Sequence, residues 1–168
     1  MKTTGNLKRL DDFNVYTPAQ LRALEAQAGA LSDPDGLTQR QRIVSWICRI
    51  LAATIMVETL FYKFTGADES VYIFSKMHTE PWWRWGQGIW ELLAAICLLM
   101  PRLGWAGGIL TTGAMGAAIL SHMTWLGYSI LGDHGLLFAM AVITFVGGFT
   151  VLVLHRREIP FTSPVSYW

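Results

Sequence analysis

The sequence predicts an all-α fold: an integral membrane four-helix bundle with a polar amino-terminal arm containing a short amphipathic helix. Three observations predict it. Apolar residues make up 52% of the 168-residue chain, above the ordinary range of soluble domains. They gather into four runs, each long enough to cross a hydrocarbon core of about 30 Å as a helix. Eight tryptophans, many of them flanking those runs, stand where amphipathic rings anchor at headgroup level.

Composition also removes several function classes. A net charge of +1, with the basic residues at the flanks of apolar runs, gives no electrostatic case for a nucleic-acid partner. Membrane lipids are the expected surroundings. Cys48 and Cys97 fall in separate apolar runs with no CxxC pair, so neither a disulfide framework, a zinc site nor a thiol relay is indicated.

The arm, residues 1–37, is polar and carries no signal-peptide apolar region, so it is expected to be retained. Within it Thr17-Pro18 starts a helix over Ala19 to Leu31, with leucines at 21, 24 and 31 and charges between them, which stops at Ser32-Asp-Pro-Asp-Gly36. Such a helix suits the membrane surface, a partner or its own bundle equally. The bundle domain, residues 38–157, begins with Thr38 capping a helix whose span runs from about 43 to 64. Arg49 is close enough to the entry to snorkel back to the near headgroups. Residues 66–80 form an extramembrane connection with a short helix, capped by Asp68 and carrying Val71, Phe74 and Met77 at helical spacing. The second span, about 82–100, has Pro81 in its first turn and ends at Pro101. The third, about 104–128, presents Gly104, Gly108, Gly113 and Gly116 as a small-residue face for close helix packing. Gly132 or Asp133 introduces the fourth, about 134–154. A polar tail, 158–168, follows His155-Arg-Arg157. Arg40, Arg42, Arg102, Arg156 and Arg157 outweigh Lys63, Lys76 and Arg84, which places both termini in the cytoplasm.

Ionisable residues inside the spans carry the functional argument, because a charge at that depth costs about 2.5–3.5 kcal/mol unless compensated. At 1.5 Å per residue, Glu58 lies roughly 8 Å short of the outer boundary, Glu91 roughly 12 Å below Trp83 and His122 roughly 9 Å short of Tyr128. The three share one layer. Lys63, Arg84, Gln87, Asp133 and His134 lie around or above it, and the opposite half holds nothing comparable. Carboxylates there are pushed towards protonation unless Lys63, Arg84 or a protonated His122 pairs with them. A quinone head group would match a site with a histidine donor, a glutamate acceptor and aromatic walls such as Tyr62, Trp90 and Trp125. The alternative is structural: Glu91 with Arg84 or Lys63, and Glu58 with His122, as buried pairs fixing the bundle. Haem is not expected, since His134 sits at the mouth of its span, well above His122. No spacing signature supports a metal. His155 reads as an interfacial side chain.

Phe61-Tyr-Lys-Phe-Thr-Gly66, Phe74-Ser-Lys-Met-His-Thr-Glu-Pro81, Gly88-Ile-Trp-Glu91, Pro101-Arg-Leu-Gly104 and Ala118-Ile-Leu-Ser-His122, in that order, resemble the DoxX family of small four-helix bacterial membrane proteins. The resemblance covers roughly Arg49 to Arg157, leaving the arm outside it. It implies a bacterial inner-membrane protein similar to the DoxD-type subunit of thiosulfate:quinone oxidoreductase, with Lys63, Glu91 and His122 at the family's buried polar positions. The chain has no recognisable thiosulfate-oxidising domain, so such catalysis would need another chain. The expected function is therefore a subunit of a quinone-linked oxidoreductase or respiratory assembly. Glu91, His122 and Glu58 would handle protons, and Lys63, Arg84, Gln87, Trp90, Trp125 and Tyr62 would hold the quinone. The alternative is a non-catalytic assembly subunit of a larger membrane complex; a small-solute carrier ranks third.

Overall fold

The computed structural model describes residues 16–32 and 36–159. Residues 1–15 of the arm, the 33–35 segment expected to end its helix, and the tail from 160 onward lie outside the described residues. The chain divides into two compact units, Met1–Gly36 and Leu37–Trp168. In the first, α1 spans Pro18–Ser32. Thr17 and Gln20 cap its start reciprocally: the Thr17 amide donates to Gln20 Oε1 at 2.8 Å and the Gln20 amide to Thr17 Oγ1 at 3.3 Å. Leu21 and Leu24 are exposed on it.

The second unit is a ring of four antiparallel helices: α2 (Gln39–Thr65), α4 (Trp82–Leu99), α5 (Gly104–Ser121) and α6 (Leu136–Leu154). Each packs on the next in chain order and α6 closes the ring against α2. A short helix, α3 (Asp68–Lys76), touches α2, α4 and the end of α5. Thr38 and Gln41 form a capping box at the start of α2, and Gly66 ends it in the left-handed conformation at φ 71°. Among the described residues there is no β-strand.

Three stretches are long and apolar enough to cross a membrane: Gln39–Thr65, Gly104–Leu126 and Leu136–Leu154. The helix at the second expected span, α4, is 18 residues long, but Arg84, Gln87 and Glu91 dilute its apolar character and it is not one of the three. Exposed Ile, Leu, Val and Phe side chains cover the outside of the ring, as a lipid-facing surface requires.

The two ends of the ring pack differently. Towards His155, Ala52, Ala53 and Met56 of α2, Ala94, Ala95 and Leu98 of α4 and Val151 of α6 form one core, with Leu110 of α5 against it. Small residues allow this. A Cβ on Gly107 would stand 2.5 Å from the Leu98 backbone nitrogen, and one on Gly108 2.8 Å from that of Leu152. Backbone atoms cannot swing aside, so these glycines set the helix separation. The expected small-residue face is redrawn accordingly: Gly104 and Gly108 belong to it, Gly107 joins it, and Gly113 faces open space. Towards α3 the ring opens. There α5 packs on α6 through Ala114, Met115 and Ala141, while α2 is tied to α4 by polar side chains, and a cavity separates the two pairs.

Candidate functional site

The cavity has a volume of about 310 Å³, near the lower end of the roughly 300–1,000 Å³ typical of small-molecule sites. All four ring helices line it, Met56 and Met115 lie at its core side, and Ile73, Phe74 and Met77 roof it from α3 and the turn after it. Its polar centre is Glu91, whose side chain is 3% exposed. Lys63 Nζ donates to Glu91 Oε2 at 2.7 Å, and the single hydrogen of Thr59 Oγ1 is shared between the Met56 carbonyl oxygen at 2.8 Å and the same carboxylate oxygen at 3.0 Å. Gln87 Nε2 lies 3.4 Å from Oε1. Helical spacing explains the assembly: Thr59 and Lys63 stand one turn apart on α2, as do Gln87 and Glu91 on α4, so two short stripes meet across the α2–α4 seam. Thr59 is the member that the sequence reading missed; its position one turn before Lys63 was the available signal.

His122 lines the same cavity from the end of α5. The helix widens there into a π-turn, His122–Leu126, closed by the Gly127 amide donating to the His122 carbonyl at 2.9 Å. Such turns recur at functional sites. His122 Nδ1 lies 2.9 Å from the Gly127 carbonyl oxygen, which can only accept, so Nδ1 carries the hydrogen. In the neutral ring Nε2 is then an acceptor, and no described residue hydrogen-bonds to it. Phe138 holds the ring edge-on at 5.5 Å between centroids. The wide turn also breaks the 3.6-residue register, so Leu126 turns inward and Trp125 is left 63% exposed.

The remaining expected site residues divide. Tyr62 and Glu58 line the cavity from an exposed edge of α2, and Glu58 has no hydrogen-bond or ion-pair partner among the described residues. Arg84 is buried but turns away from Glu91. Its Nε donates to Glu80 at 2.7 Å and its Nη1 donates to the Lys63 carbonyl, placing a cation at the carboxyl end of α2. Trp90 and Trp125 are not among the lining residues; the Trp90 indole donates to the Leu110 carbonyl at 3.2 Å and bridges α4 to α5. Trp83, Phe74 and, unforeseen, Glu69 of α3 line the cavity instead. His134 is exposed at φ 55°.

Asp133 borders the cavity while serving as a cap. Its carboxylate accepts the amides of Ile130, Gly135 and Leu137 at 2.8, 2.9 and 3.0 Å. Burial acts to raise its pKa, but these backbone hydrogen bonds outweigh it and hold the carboxyl down at about 2, from 3.8. A carboxylate held low stabilises the fold above its unfolded value, and that contribution is lost as pH falls through about 2. Replacing Asp133 by alanine is expected to cost about 1–2 kcal/mol at neutral pH. Thermal unfolding should show that gap closing on acidification below the 3.8 of a free carboxyl.

At the opposite end the structure corrects two expectations. Arg49 does not snorkel outward and His155 is not an interfacial side chain; both are 2% exposed. Arg49 Nη2 lies 3.0 Å and Ser45 Oγ 2.8 Å from His155 Nε2, while His155 Nδ1 bonds Glu158. Arginine only donates, so His155 is neutral here, accepting at Nε2 and donating from Nδ1 to the carboxylate. This cluster joins the start of α2 to the end of α6, so the half expected to hold nothing comparable to the Glu91 layer contains a structural knot. The guanidinium fits because Gly104 has no side chain: a Cβ there would stand 1.7 Å from Nη2.

Compared with known proteins, the chain matches no family model, no curated protein and no solved structure.

Proposed function

We propose that this chain is a four-spanning, DoxX-like protein of the bacterial inner membrane with both termini in the cytoplasm, acting as the quinone-binding subunit of an oxidoreductase or respiratory assembly. The observation that carries the reading is a largely apolar cavity with donors and acceptors at one end and methionine and aromatic walls around them. A quinone needs donors on its carbonyls when oxidised and acceptors for its hydroxyls when reduced. Lys63 has two N–H groups beyond the one given to Glu91, and His122 offers Nε2 as an acceptor. When bound, the group would supply exchange of two electrons and two protons, with the electrons coming from another chain. The protein's own part is to hold the ring, keep water out beneath α3, and accept or return a proton at His122 Nε2 or Glu91. Arg84, Trp90 and Trp125 have no place in this reading, because their side chains are engaged or exposed elsewhere.

The test is purification in mild detergent followed by extraction and quantitation of quinone. Wild-type protein is expected to retain it, and Glu91→Gln and His122→Ala, if monodisperse, are expected to lose at least about tenfold, equivalent to about 1.4 kcal/mol of binding. A wild-type protein that carries none and binds none when it is added would overturn the reading. The second reading, a non-catalytic assembly subunit, is favoured by the burial of the Lys63–Glu91 pair, which also suits a structural role. Unchanged quinone content in both variants with loss of a partner chain would support it.

A further inference from the structure

The cavity reaches the flank of the bundle. Glu58 and Tyr62 line it although both are exposed on α2. They lie on the edge that faces α6, since Tyr62 stands four turns beyond Cys48, whose carbonyl oxygen would be 3.5 Å from a Cβ on Gly147. Close α2–α6 packing at Gly147 thus gives way, about two turns further along, to a gap. On its far side stand Leu136, Leu137 and Met140, all apolar. Beyond the Ser45–Arg49–His155 knot, no hydrogen bond among the described residues crosses this seam. The α4–α5 seam also has exposed lining residues, Trp83 and Ala117, but it is bridged by the hydrogen bond from the Trp90 indole to the Leu110 carbonyl. An opening between two helices that flank hydrocarbon admits lipid-borne molecules more readily than water-borne ones.

We propose that the cavity is loaded sideways from the bilayer, between α2 and α6, and that its ligand is an amphiphile. The neutral polar ring rests against the Lys63–Glu91 pair and His122, and the apolar chain runs out over Met140 and past Tyr62. This rests on the head-group reading above and adds the ligand's second half and its route. Met56, Met115 and Met140 suit such a guest, because thioether side chains adapt to irregular apolar shapes. Glu58, at the rim, then sits at the level where ring and chain join.

Binding to purified protein in nanodiscs, followed by quenching of tryptophan fluorescence, tests it with two probes: a benzoquinone bearing a ten-carbon chain and the same ring without one. Wild-type protein is expected to bind the chain-bearing compound at least tenfold more tightly after correction for partitioning. Met140→Trp, which fills the gap, is expected to remove that advantage by weakening the chain-bearing compound at least tenfold more than the chainless ring. Chain-bearing affinity unchanged in Met140→Trp, or lost in Ala117→Trp on the α4–α5 side instead, would overturn the route. A second measurement does not depend on quinone. In protein with Cys48 and Cys97 replaced by alanine, Ala118→Cys is expected to react with an alkyl maleimide confined to the bilayer, and to slow at least tenfold when Met140→Trp is added. If neither quinone binds but the maleimide result holds, the head-group reading fails and the lateral opening stands; a maleimide rate indifferent to Met140→Trp sinks the opening itself.

Discussion

Replacing Lys63 by methionine is expected to destabilise the protein by about 3–5 kcal/mol, because it leaves the Glu91 carboxylate buried without its ammonium. Glu91 keeps the Thr59 hydroxyl at 3.0 Å and a long contact to Gln87 at 3.4 Å, neither of which supplies opposite charge. The double replacement Lys63→Met with Glu91→Leu is expected to recover most of the loss, since a buried pair exchanged for apolar groups of similar volume is often neutral or stabilising. Thermal unfolding in one detergent checks both. The pair of results also separates the two functional readings. If the recovered double variant has lost quinone, the charges were there for the ligand; if it retains quinone, they were there for the bundle. A single Lys63→Met variant as stable as wild type would mean that Glu91 is neutral in the folded protein.

Replacing Arg49 by alanine is expected to cost about 2–4 kcal/mol, combining the lost charged hydrogen bond to His155 with the space left by a fully buried side chain. Gly104→Ala is expected to cost about as much, because the new methyl would expel the guanidinium from beside His155. The two effects share one cause and should not add. On the Arg49→Ala background, Gly104→Ala is expected to cost well under half of what it costs alone, a coupling that a double-mutant cycle in thermal unfolding reads directly. Additive losses would mean that Gly104 is needed for something other than the arginine.

Helix periodicity carried most of the architecture. Thr17, Thr38, Pro101 and Gly66 punctuate the chain where caps and breakers must, and the starts and ends of α1, α2, α4 and α6 fall within a few residues of the places they indicate. Glu91 and His122 were legible as interior groups, because a titratable side chain in the middle of an apolar run has to turn away from lipid. The partners were less legible. Arg84 and Lys63 both lay within reach of Glu91 in a linear reading, and only the packing of α4 against α2 sends Lys63 to the carboxylate and Arg84 to a helix end. Trp125 was misplaced because a π-turn leaves no signature in the spacing of apolar residues. Arg49 and His155, 106 positions apart, were read separately, one as snorkelling to the headgroups and the other as an interfacial side chain.

By itself, then, the sequence determined the helices of the described residues, where most of them begin and end, and that Glu91 and His122 turn inward, because capping chemistry and the 3.6-residue period are local properties of the backbone. The tertiary structure decided which cation meets which carboxylate, that an arginine and a histidine 106 positions apart lock one end of the ring, and that the other end parts into two pairs around a cavity. Those outcomes depend on contacts between residues distant in the chain, set by how closely glycines let two backbones approach, and no single stretch of sequence encodes that distance.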